Sequence, residues 1–306
     1  MEPAAELHPD PILVVRKDLK AAASLLTPTE ARYLVDLYYQ IQDFRKTTAN
    51  QIRQIGDSEP TFLIGWVFGN METTEVEIKK ALDVYTTHET TGMGKWAKGV
   101  MGIGPVISAG LLAHIDIAKC RTVGSIWRFA GLDPTSKWEK GKKRPWNARL
   151  KTLCWLMGQS FEKVSNKEDS LYGKLYKERK AKEWARNVAG EHRESAARIL
   201  ETKNIDKKTQ AHLWLSGRVS QSEVQKILDE GDTEKLSTIT ATKKKDGLPM
   251  LPPGHIRQRA CRWTVKVFLC HWFEEAYRRH HGKESPVIYS IAMLNHAHKI
   301  EPENTI

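Results

Sequence analysis

Two stretches of near-heptad apolar spacing, separated by a turn of a few residues, restrict the first third of this chain to a helical hairpin. Thr27-Pro28-Thr29-Glu30 writes a helix start, with Thr as N-cap, Pro at the first helical position and Glu three residues after the cap. Leu34, Leu37, Tyr38, Ile41, Phe44, Ile52 and Ile55 then recur close to every 3.5 residues. Gly56 and Pro60 break the pattern, and a second helical stretch carries Phe62, Leu63, Trp66, Val67, Val76, Ile78, Leu82 and Tyr85. Long amphipathic helices joined this closely lie antiparallel. Their length predicts a projecting coiled-coil hairpin over 27–90 that mediates dimerisation; the plainer alternative is two core helices of a larger bundle.

Residues 1–26, with Pro3, Pro9 and Pro11 and a short apolar run at 12–15, read as a loosely attached arm. Residues 91–306 read as a second, compact α-domain. Within it, 147–164 is amphipathic, with Leu150, Leu153, Trp155, Leu156 and Phe161 at helical spacing. Residues 165–250 are the most polar part, with a basic run at 177–182 and Lys243-Lys244-Lys245. A short capped helix and a polar loop are expected over 220–238, and 181–250 reads as a charged helical insertion. After Pro252-Pro253, Ile256, Ala260, Trp263, Val267, Phe268, Trp272 and Ala276 form one helical stripe, and a short final helix is expected over 287–294. With no alternating apolar–polar run, the fold class is all-α.

Charge narrows the function classes. The 306 residues carry 48 Lys and Arg against 37 Asp and Glu, a net charge of +11 that favours a polyanionic partner. No apolar run reaches the ~18 residues of a membrane span. The N-terminal residues lack the pattern of a secretory signal, so a cytoplasmic location is expected. Four cysteines without a C-x-x-C pair disfavour a disulfide scaffold and a structural zinc site.

The sharpest local motif is Gly102-Ile103-Gly104-Pro105, two glycines flanking one apolar residue between short helices, the pattern of a helix–hairpin–helix turn. Gly102 and Gly104 leave room for tight backbone geometry, Ile103 anchors the turn, and helix amides beginning at Pro105 can face a phosphate. The plainer reading is a tight turn with no ligand. Between Lys119 and Lys151 stand ten Lys or Arg and two acids, Asp133 and Glu139, interleaved with Trp127, Trp138 and Trp146. Lys137, Lys140, Lys142, Lys143, Arg144 and Arg149 are the candidates for phosphate contacts, and Trp138 and Trp146 for base stacking. The alternative is a solvated cationic loop whose indoles plug the core. His255, His271, His280, His281, His296 and His298 show no metal-ligand spacing and read as ordinary histidines, so neither metal nor cofactor is implied. No carboxylate cluster of the two-metal nuclease kind is recognisable. Ser136 is a weak candidate nucleophile, with no His or Asp placed by sequence to activate it.

The segment 102–134, GIGPVISAGLLAHIDIAKCRTVGSIWRFAGLDP, resembles the C-terminal domain of transposases of the IS110/IS116/IS902 type. There a G-x-G-P turn is followed by an aGLxP turn, a basic loop and an R-L-K helix, matching Gly102 to Pro105, Ala130 to Pro134, residues 135–147 and Arg149-Leu150-Lys151. The likeness covers about 27–180 and 252–280. The chain departs from that family in having only 26 residues before the hairpin, too few for its RuvC-like domain, and in a loop where Ser136 aligns only with a shift. A helical hairpin followed by a basic α-domain also resembles the Nop domain of box C/D ribonucleoproteins. The family joining both likenesses is the Tas proteins of tandem-interspaced-guide-RNA systems of phages and prokaryotes, here in nuclease-free form. That resemblance implies a homodimeric guide-RNA-binding protein whose RNA pairs with target DNA. The alternatives are a minimal or degenerate transposase using Ser136, and a guide-free helix–hairpin–helix DNA-binding protein.

Overall fold

A computed structural model describes residues 17–55, 62–231, 233, 235–239, 247–286 and 300–302. Among these residues the chain is all-α: twelve α-helices, two 3-10 turns and no strand. It divides into two compact units, residues 1–157 with 267–306 and residues 158–266. The apolar run at 12–15, the lysines 243–245, the expected helix at 287–294, His296 and His298 lie outside the described residues.

The first unit begins with α1 (Lys17–Ser24), α2 (Pro28–Ile55) and α3 (Phe62–His88). A helix therefore stands where part of an arm was expected: Ala23 is buried and α1 packs on α3. The start of α2 is the capping box read from the sequence. The Glu30 carboxylate accepts from Thr27 N at 2.8 Å and from Thr27 Oγ1 at 2.7 Å, while Glu30 N donates to Thr27 Oγ1 at 3.3 Å. Gln42 Nε2 and Arg45 Nε both donate to Glu75, at 2.9 and 2.6 Å, and Val35 shares a core with Ile78 and Leu82. Position numbers that fall along α2 as they rise along α3 make the pair antiparallel.

That pair is only half absorbed into the fold. All buried residues of α2 lie in its first two turns, and those of α3 lie from Glu75 onward. Ala31, Val35, Ile78, Leu82 and Tyr85 pack with Val106, Ala109 and Ala113 of α5 (Pro105–His114). The base of the hairpin is thus bundle core, and its distal half is not.

Between α4 (Met93–Gly99) and α5 runs the glycine turn, with Ile103 buried. After α6 (Val123–Phe129), α7 (Ala148–Lys163) packs along α5: a side chain added at Gly110 would meet Leu153, so the two backbones lie close. The C-terminal part of α12 (Pro253–His281) completes this unit with buried Phe268, Trp272 and Phe273; Trp96 and Phe268 lie 6.1 Å apart, centroid to centroid.

The second unit holds α8 (Leu171–Val188), α9 (Arg193–Thr202), α10 (Gln210–Leu215) and α11 (Gln221–Asp229). It is wider than the expected insertion at 181–250, because its core needs elements on both flanks. Trp184, Trp214, Leu215 and Val224 pack with Ile256 of α12, and Phe161 of α7 stacks on Tyr172 at 4.9 Å. Asn187 closes the core by exchanging two 2.9 Å hydrogen bonds with the backbone of Leu251. Ser220 stands at the start of α11 as expected, but its hydroxyl meets Ser222 Oγ at 2.8 Å rather than capping a helix amide.

Candidate nucleic-acid interface

The basic loop between α6 and α7 is held by its own small devices. Gly141 has φ +91° and sits in a turn closed by Lys142 N donating to Glu139 O at 3.1 Å. Trp138 Nε1 donates to Lys142 O at 2.7 Å, and the Arg144 guanidinium lies over the Trp138 ring at 5.2 Å. Trp138 therefore braces the loop while remaining 40% exposed. Lys151 Nζ lies 4.1 Å from the centre of the Trp146 ring, and a side chain at Gly131, where φ is +67°, would strike Trp146. Both indoles already carry a cation on one face, which makes them parts of the loop's architecture as well as stacking candidates.

The six candidate cations are not equivalent. Lys142 is paired with Glu139 at 2.7 Å and Arg149 with Asp36 at 3.5 Å. Lys137, Lys140 and Lys143 are exposed, and among the described residues none has an acidic partner. Uncompensated exposed cations are those that gain most from a phosphate, because no existing ion pair must be broken.

Asn147 positions the loop's end and was not singled out from the sequence. Its Oδ1 accepts from the amides of Arg149 and Leu150 at 3.0 Å each, capping α7, and its own amide donates to Phe129 O at 2.8 Å. Its Nδ2 meets His114 Nδ1 at 3.3 Å, tying α7 to the end of α5. Burial first, then the charge of Arg32, holds the His114 imidazole below its ordinary value. The signal was present, since Asn directly before a helical run is a standard cap.

The glycine turn lies elsewhere on the same unit. Gly102 has φ +96°, a region that L side chains rarely adopt, whereas Gly104 has φ −92° and ψ 179°, ordinary extended backbone. Nothing lies within 4 Å of a Cβ built at Gly104, so the structure removes the expected steric need for glycine there and leaves it at Gly102. The N-terminus of α5 has no side-chain cap. His114, at the far end of the ten-residue α5, meets Asn147, so the turn at the start of α5 stands about 15 Å along that helix from the loop's last residue. Within the loop, contacts join Trp138 with Lys142 and Arg144, and Trp146 with Lys151, while Arg149 turns to Asp36 of α2.

Among the described residues, the Ser136 hydroxyl has no His or carboxylate within hydrogen-bond reach. Asp133 accepts from Thr135 N and Oγ1 at 2.9 and 2.7 Å, and these bonds hold its carboxyl below the usual range. No group of three or more His, Cys, Asp or Glu among the described residues is placed to hold a metal ion. None of the described helices is long and apolar enough to cross a membrane. Comparison with protein-family models, with curated proteins and with solved structures returned no match.

Proposed function

We propose that the chain binds RNA through the loop 135–151, and that this RNA is a guide whose pairing, rather than the protein, selects a DNA target. The observation that carries the RNA part is the group of Lys137, Lys140 and Lys143, exposed and without acidic partners, beside the half-exposed indole of Trp138. Long-range attraction to phosphates combined with an aromatic surface suits unpaired bases. The guide role rests on the resemblance of segment 102–134 and of the hairpin-plus-basic-domain order to Tas proteins.

A homodimer formed through the hairpin belongs to the same proposal. Its support is the apolar surface of the distal half, where Phe44, Phe62, Leu63 and Trp66 are 65, 83, 69 and 58% exposed. At roughly 150–250 Å² per large side chain, these four offer about 500 Å² per copy. Two copies bring about 1,000 Å², where specific interfaces begin.

The test is to purify the protein from the cells that express it and sequence the nucleic acid that comes with it. Discrete short RNAs sharing a common segment are expected. RNA no different from the total cellular pool overturns the guide reading, and enriched duplex DNA with no RNA favours guide-free DNA binding.

A further inference from the structure

In the second unit, α8 and α12 meet at one buried carboxylate. Glu183 accepts from Arg259 Nε at 2.6 Å and Arg186 Nη1 at 3.4 Å, meets His192 Nε2 at 3.0 Å, and is also paired with Arg179. Three guanidiniums on one carboxylate leave positive charge in excess. Glu191 offsets part of it by holding Arg186 at 2.6 Å. On α12, His255, Arg259 and Arg262 follow at i, i+4 and i+7 and share a face. Arg262 and Lys203, the latter just past α9, have exposed surface and form no salt bridge among the described residues. Burial first, then the charge of Arg259, holds the Arg262 guanidinium below its ordinary value, and the charge of Glu183 offsets part of this. The closeness of Lys203 and Arg262 registers at His255, whose imidazole is held below its ordinary value first by burial and then by the charges of Lys203, Arg262 and Arg259.

We propose that Lys203, Arg259 and Arg262 form a second phosphate-binding face, whose ligand is the backbone of a single-stranded nucleic acid. Arg259 engages Glu183 through Nε alone, leaving its terminal nitrogens for a phosphate. The planar guanidinium fork matches phosphate oxygens, and a buried carboxylate holding that fork in place lowers the ordering cost of binding. An internal ion-pair network accounts for Arg179, Arg186, His192 and the Nε of Arg259. It makes no hydrogen bond to Arg262, which feels Glu183 only through space, and does not include Lys203. Positions 255 to 262 span about 10 Å along the helix, which suits successive phosphates better than one small anion. The composition agrees, since residues 158–266 hold 23 Lys and Arg against 15 Asp and Glu.

This face shares its ligand class with the loop but does not depend on the loop. The experiment therefore compares full-length variants with a labelled oligouridine of about 20 nucleotides, titrated between about 50 and 200 mM salt. Lys203→Glu with Arg262→Glu should weaken binding about tenfold and flatten the log K against log salt slope by about 1.4, some 0.7 per lost phosphate contact. The melting temperature should not move. A control, Lys174→Glu with Lys177→Glu, changes exposed lysines of α8 and should have a much smaller effect. Equal loss in the control shows that net charge alone acts, and overturns the face. Unchanged binding in the Lys203/Arg262 variant, with loss in Lys137→Glu/Lys140→Glu/Lys143→Glu, overturns the face and keeps the loop. The reverse pattern keeps the face and overturns the loop. No binding by the unaltered chain overturns both.

Discussion

Gly102 and Gly104 look interchangeable in the motif, yet their backbones ask for different things. At φ +96° a Cβ on residue 102 crowds the backbone, so Gly102→Ala should cost about 1–2 kcal/mol. Gly104→Ala, in extended backbone with open space around it, should leave stability unchanged or raise it by a few tenths of a kcal/mol. Denaturant melts of the two variants check both signs. In the loop, Lys137, Lys140 and Lys143 carry no internal ion pair among the described residues, so reversing all three should leave the melting temperature within about 1–2 °C. The same triple change should flatten the salt slope for single-stranded RNA by about 2. Binding that survives with an unchanged slope would move the interface away from this loop.

Helix ends and buried charges decide matters at the next scale. The reciprocal Thr27–Glu30 cap fixes where α2 begins, and Thr27→Ala should destabilise the first unit by about 1 kcal/mol, read from its thermal melt. Glu183 joins α8, α12 and His192. Burial pushes its carboxyl up, but the hydrogen bond and charge of Arg259, with Arg179 and His192, outweigh that and leave it below the ordinary 4.5. A carboxyl lowered by folding contributes stability that is fully present above pH 4.5 and is lost as pH falls through the folded value. Glu183→Gln should therefore lower stability at neutral pH and make its decline below pH 4.5 shallower than that of the unaltered chain. Denaturant melts on either side of that pH measure the difference.

For the whole molecule, the open question is what covers the distal hairpin. Under the proposed homodimer, Leu63→Glu with Trp66→Glu should convert a dimer to a monomer in light scattering, since two charges per copy would be buried where the exposed apolar residues would meet. A single mass for both proteins removes the hairpin from the interface. The helices of this fold were legible because local rules wrote them: the 27–30 cap, the 3.5-residue spacing and the stripe from Ile256 to Ala276 need no tertiary contact to be recognised. The unit boundary at 158–266 was not, because a core joining Trp184, Trp214 and Ile256 depends on contacts between residues distant in the chain. The candidate interface was half legible. Composition located the basic loop, but not which cations have acidic partners.

The sequence by itself determined the all-α class, the hairpin and the excess of cations, since periodicity, capping and net charge are properties of neighbours along the chain. Only the tertiary structure decided that Lys142 and Arg149 are paired, that the glycine turn and Asn147 stand at opposite ends of α5, and that Arg259 is held by a buried Glu183. Ion pairs and the separation between sites are set by distances through space, and the order of residues does not contain those until the helices have packed.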